Sequence, residues 1–177
     1  MTDRRLLLLL SGPNLQLFGQ REPEVYGTET LAARVDRAST TAGRLGYELE
    51  HVQSDAESVL VAAVHAARGR AAAIVVNGGA LSHYGWSLHD ALAAFDGVIV
   101  ELHVSNPQAR EPWRRHSVLA PVADGVVAGF GGLGYELAIE AAARLLDGPP
   151  AAGPLDTGPL DTRAPDARGP DARLPDE

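Results

Sequence analysis

The sequence predicts an α/β protein in which a five-stranded parallel sheet lies between two layers of helices. Three observations carry this. Short apolar runs alternate with amphipathic stretches along residues 6–146, the pattern of repeated strand–helix units. The runs at 6–10 and 71–76 are continuously apolar, as expected of strands covered on both faces. Polar residues, among them Asn14, Ser54, Asn77 and His103, fall at or just past the ends of the runs, where parallel sheets of this kind hold their ligands.

The first run, LLLLL at 6–10, ends in the turn signal SGPN. Residues 15–27 (LQLFGQREPEVYG) mix glycine, proline and charge with no steady period, a long loop of the sort kept for function. Thr28 is placed to cap a helix whose apolar residues Leu31, Val35, Ala38, Ala42 and Leu45 recur at helical spacing, and Gly46 ends it. Residues 47–52 alternate as a second strand. Ser54 and Glu57 read as a capping box for a helix that packs through Val59/Leu60, Ala63/Val64 and Ala67. The third strand, 71–76, ends in NGGA, and a helix is predicted over 85–95. A fourth strand begins at residue 98, and a fifth at 125–130 ends in two glycines. The last helix, 133–146, carries Leu137, Ala141 and Leu145 on one stripe and stops at Gly148 and Pro149. Strand order 2-1-3-4-5 follows, a flavodoxin-like three-layer sandwich filling residues 1–147. Residues 148–177 hold seven of the 12 prolines, with GPLDT and then PDAR each occurring twice and no hydrophobic period, the composition of a disordered tail.

Residues 97–117, GVIVELHVSNPQAREPWRRHS, carry the chemistry. Side chains in a strand change face at every residue, so Glu101 and His103 are neighbours on one face. A carboxylate so placed holds an imidazole's tautomer and raises its basicity. A strand covered on both faces cannot leave such a pair in water, and burying it is costly unless each group satisfies the other. A site is the better reading.

Composition narrows the chemistry. The chain has no cysteine, so no disulfide, thiolate nucleophile or cysteine-held zinc forms; this fits the cytoplasm. A metal site from His83, His89, His103 and His116 matches no ligand spacing. No apolar run reaches the length that spans a bilayer, and a net charge of −8 argues against a nucleic-acid surface. All 15 cationic side chains are arginine, which excludes Schiff-base chemistry and lysine-dependent phosphate loops. GFGGLG at 129–134 follows the last strand rather than opening a βαβ unit and reads as a tight turn or a substrate-side loop. His51 and His65 read as surface or interface residues, and Trp86 and Trp113 as packing or interface residues.

Taken in order, SGPNLQLFGQREPEVYGTETL, VVNGGALSHYGWSLHDAL, VELHVSNPQAREPWRRHS and GFGGLGYELAI resemble type II 3-dehydroquinate dehydratase over residues 6–146. The resemblance implies a flavodoxin-like subunit in a homododecamer, a tetramer of trimers. It also implies conversion of 3-dehydroquinate to 3-dehydroshikimate through an enolate, with no metal or organic cofactor, no nucleic acid and no membrane. Tyr26 would be the base that takes the C2 proton, with Arg21 and Arg110 favouring the tyrosinate. Asn14 would hold the water that stabilises the enolate. His103, oriented by Glu101, would protonate the departing C1 hydroxyl. Asn77, His83, Arg110, Arg114 and the backbone of Val104 and Ser105 would bind substrate, and Asp90 would reach a neighbouring subunit's site. The chain departs from the family's usual residues at Ser11, Ser82, Tyr84, Gly85, His89, Val118 and Ala120. Two readings compete: a flavodoxin-like module holding FMN, which needs a Ser/Thr-rich phosphate loop where this chain has GPNLQLFG, and a paralogue of the dehydratase that keeps the fold without the activity.

Overall fold

β1 (Leu6–Ser11) is the axis of the sheet, and all six of its residues are buried. In this computed structural model, residues 6–20 and 27–148 are described; Arg21, Tyr26 and the tail from residue 149 lie outside them. Each fully buried leucine stabilises the fold by roughly 1.5–3 kcal/mol, so a run of five belongs in the middle. β1 is flanked by β2 (Glu48–Gln53) and β3 (Ala73–Asn77), followed by β4 (Val98–His103) and β5 (Gly125–Ala128). All pairings are parallel and the order is 2-1-3-4-5, as predicted.

The helices are α1 (Leu31–Arg44), α2 (Glu57–Ala67), α3 (Trp86–Ala93) and α4 (Leu133–Leu146). Leu6, Leu8 and Leu10 meet Leu60, Val64, Leu88 and Leu92 of α2 and α3 on one face. Leu7 and Leu9 meet Ala38, Ala42, Ile139 and Ala142 of α1 and α4 on the other. β4 alternates as expected: Ile99 belongs to the first core, and Val100, Leu102 and Val104 to the second.

Local details differ from the sequence reading where a tertiary contact outcompetes a local one. Thr30, not Thr28, caps α1, accepting from Ala33 N at 3.2 Å. The Ser54/Glu57 box does not form. Ser54 Oγ accepts from Ala56 N, while Glu57 Oε1 accepts from Leu88 N at 2.9 Å and ties α2 to the start of α3. α4 buries Tyr135, Ala138, Ile139, Ala142 and Ala143, leaving Leu145 exposed. Its alanines let the helix lie close to the sheet, which the leucine stripe would prevent. His65 is exposed as read, whereas His51 is half-buried against Ser11. The turns after β1 and β3 nearly touch: a Cβ on Gly12 would stand 2.2 Å from the Gly78 carbonyl oxygen, an approach open only to glycine. This brings Asn14 and Asn77 to one end of the sheet.

Candidate active site

A cleft lies beyond the carboxyl ends of β1, β3 and β4, where parallel sheets of this kind hold their ligands. Asn14, Leu17, Phe18, Asn77, His83 and His103 line it, with Val104, Ser105, Arg110 and Arg114 along the β4 side.

His103 ends β4 and Glu101 stands two residues behind it, wholly buried. Glu101 Oε1 lies 3.0 Å from His103 Nε2 and accepts a hydrogen bond, at 2.6 Å, from Ser117 Oγ. A carboxylate only accepts, so Nε2 carries the proton shared with Glu101, and Nδ1 is the ring nitrogen left for a ligand. Glu101 Oε2 has no hydrogen-bond partner among the described residues. A carboxylate buried with one oxygen unpartnered is expensive, and a chain selected for stability alone would not place it there. Ser117 is itself fixed, its oxygen accepting from Leu119 N and Ala120 N.

Above this pair sits His83, its ring centroid 6.4 Å from that of His103 and roughly parallel to it. Its Nδ1 donates to the His116 carbonyl at 2.8 Å, which leaves Nε2 facing outward as an acceptor. Burial holds the His83 imidazole below its ordinary pKa against the pull of that carbonyl, and the neighbouring His103 and Arg114 charges add to the depression. Trp113 packs its ring edge-to-face on His83, 5.2 Å between centroids, and the Arg114 guanidinium lies 4.0 Å over the Trp113 ring. Glu111 holds both arginines of the mouth, with Arg114 Nε at 3.0 Å and Arg110 Nε at 3.3 Å. Arg110 also donates to Ser105 Oγ at 3.3 Å. On the far wall, Asn77 is 3 % exposed. Asn14 adopts a left-handed backbone at φ 65°, a conformation that asparagine tolerates better than most residues. Its N–H donates to Asp55 Oδ1 at 2.8 Å, and that bond leads the contacts that hold the Asp55 carboxyl below the usual range.

The structure therefore gathers Asn14, Asn77, His83, His103, Val104, Ser105, Arg110 and Arg114 into one cleft, with Glu101 behind His103. Asp90 does not join them; it stands exposed on α3. Arg21 and Tyr26 lie outside the described residues. Sequence reasoning missed the supporting partners Ser117, Asp55 and Tyr135, and the apolar walls Phe18 and Leu17. The opening after β4 is closed by the 129–134 turn, where Gly129 N reaches the His103 carbonyl and Gly131 N the Val104 carbonyl. That run is a tight turn, as read.

Comparison with known proteins gives a consistent result. Residues 5–143 match the family model described as Dehydroquinase class II. The 3-dehydroquinate dehydratase of Edwardsiella ictaluri is 48% identical over 147 residues, covering 83% of this chain and 99% of that protein. The catabolic 3-dehydroquinase of Phaeosphaeria nodorum is 49% identical over 138 residues, covering 78% and 91%. Among solved structures, type II dehydroquinase from Propionibacterium acnes superposes with a TM-score of 0.75 at 38% identity, covering 78% of this chain and 96% of that one.

Proposed function

The chain belongs to the class II dehydroquinase family, and from that premise we propose that it is a type II 3-dehydroquinate dehydratase working with a tyrosinate base and a histidine acid. The observation that carries the acid half is the wholly buried Glu101, 3.0 Å from His103 at the floor of the cleft.

The reaction removes a proton from C2, beside the ketone, and a hydroxyl from C1. Tyr26 takes the C2 proton as tyrosinate, assisted by Arg21 and Arg110. An unperturbed tyrosine, with pKa about 10, is ionised only about one part in a thousand at pH 7, so nearby guanidinium charge is a requirement of the role. The electron pair moves to the carbonyl oxygen as an enolate, which a water held by Asn14 stabilises through donors aimed at the developing charge. The enolate then collapses to the enone and expels the C1 hydroxyl. His103, as imidazolium, gives that oxygen its Nδ1 proton and water leaves. Glu101 offsets the imidazolium charge before transfer and keeps the ring in register. Solvent afterwards returns a proton to His103 and removes one from Tyr26, so the cycle closes without a co-reactant.

Asn77, His83, Arg114 and the Val104–Ser105 backbone bind the substrate's hydroxyls and carboxylate. The exposed position of Asp90 on α3 supports its use in a neighbouring subunit's site, in a dodecamer built from trimers. Residues 1–147 carry the activity and 148–177 form an appendage. No helix among the described residues is long and apolar enough to cross a membrane, and a cysteine-free chain suits the cytoplasm. The test is direct. On adding 3-dehydroquinate to the purified protein, the enone absorbance of 3-dehydroshikimate should grow, unaffected by EDTA, and borohydride with substrate should trap no adduct. No absorbance change, or loss of activity under either treatment, rejects the proposal.

A further inference from the structure

Asn77 is oriented from behind by a hydrogen-bond chain, and the direction of its amide can be worked out donor by donor. The Gly79 N–H can only donate, so the amide atom 3.3 Å from it is Oδ1. Nδ2 then faces Tyr135 Oη at 3.1 Å. Tyr135 reaches this point from the first turn of α4 and is fully buried. An amide nitrogen cannot accept, so the tyrosine oxygen accepts from Asn77 and must send its own proton elsewhere. Its other hydrogen-bond partner is Ser11, fully buried at the end of β1. Ser11 Oγ in turn lies within hydrogen-bond distance of His51 Nε2, 3.0 Å away on β2. The chain runs Asn77, Tyr135, Ser11, His51, from the cleft across the sheet to its edge strand.

We propose that Tyr135 is a positioning residue for the dehydratase, backed by Ser11 and His51, and that it fixes the Asn77 amide so that its second N–H meets a substrate hydroxyl. The inference rests on Asn77 being a substrate-binding residue, as assigned above. Without the tyrosine oxygen, Nδ2 is a buried donor lacking its acceptor, and the amide no longer has one preferred direction.

The test uses the full-length protein and steady-state kinetics with 3-dehydroquinate. Tyr135→Phe keeps the ring and removes one oxygen. KM should rise about five- to tenfold, the scale of one lost hydrogen bond, with kcat changed by less than about threefold, because the contact binds ground state and transition state alike. Ser11→Ala leaves the tyrosine but strips its hydrogen-bond partner, and should shift KM the same way by about two- to threefold; it carries the test if Tyr135→Phe does not fold. Asn77→Ala should raise KM further, and adding Tyr135→Phe to it should change nothing more, since residues acting through one group are not additive. If Asn77→Ala raises KM while Tyr135→Phe and Ser11→Ala leave it unchanged, or if the Tyr135 and Asn77 effects add in full, the positioning role is overturned. If Asn77→Ala itself leaves KM unchanged, the substrate-binding reading of Asn77 fails instead.

Discussion

Glu101→Gln separates charge from shape at the centre of the site. The substitution keeps the side chain's volume, and the amide oxygen can still accept from His103 Nε2 and Ser117 Oγ, now 3.0 and 2.6 Å from Glu101 Oε1. Only the negative charge is lost. Two unit charges about 4 Å apart attract by about 4 kcal/mol at an effective dielectric of about 20. A neutral hydrogen bond returns about 1 kcal/mol of that. The imidazolium that protonates the leaving group should therefore lose about 3 kcal/mol of support, which slows turnover by about 100-fold. Stability should move the other way or hold. The carboxylate is wholly buried with Oε2 unpartnered, and removing a buried charge relieves a desolvation cost of several kcal/mol. That relief offsets the charged hydrogen bond lost from Ser117 and the amide donors left short of acceptors. The assay is the initial rate at saturating 3-dehydroquinate, followed by enone absorbance, beside thermal unfolding by circular dichroism. A kcat within about threefold of wild type would refute the acid-support role. A fall in Tm of more than about 10 °C together with the rate would make Glu101 a structural residue.

Tyr26→Phe should lower kcat by at least about 10²-fold, the lower end for losing a positioned base, with fold and oligomer intact by size exclusion; near-normal turnover would remove the base from the mechanism. Burial holds the His51 and His83 imidazoles below their ordinary 6.5, so the unfolded chain takes up these protons first and stability falls as pH drops through that value. Urea midpoints should fall between about pH 7.5 and 5.5, and His51→Gln should flatten the fall; an unchanged slope refutes the His51 share. A chain ending at Gly148 should keep its turnover and its number of subunits per particle by light scattering, and dissociation or loss of rate would show that the tail takes part in assembly or catalysis.

The parts legible in the sequence were those set by local rules. Five consecutive leucines identified the central strand, and strict alternation put Glu101 beside His103 because β4 obeys a period of two. The glycines after β1, β3 and β5 marked where the sheet ends and the ligand sits. What escaped notice was set by contacts between distant residues. Ser117 meets Glu101 across 16 positions, Tyr135 meets Asn77 across 58, and Glu57 leaves its local capping partner for Leu88, 31 residues on. Periodicity carries no information about such pairs. The α4 stripe was misread for a related reason. A helix apolar on several sides does not declare which side the sheet will take, and close approach favoured the alanine face that carries Tyr135.

Those distant partners share one arrangement, and it bears on how the site works. Each polar group facing the cleft has its protein-side valence already filled by a fixed partner. His103 Nε2 is held by Glu101, His83 Nδ1 by the His116 carbonyl, the Asn14 N–H by Asp55, and the Asn77 amide by Gly79 N–H and Tyr135. In three of these one atom of known polarity then remains for the ligand: Nδ1 of His103 as the proton carrier, Nε2 of His83 as an acceptor, an N–H of Asn77 as a donor. A substrate with several ring hydroxyls is sorted by such an array, because a misplaced hydroxyl sets donor against donor or acceptor against acceptor. The same anchoring means that little reorganisation is needed when charge develops on the substrate, the condition under which preformed dipoles lower a barrier most. The buried carboxylate of Glu101, costly to the fold, is the clearest sign that the cleft is organised for the charged state of the reaction rather than for the stability of the resting protein.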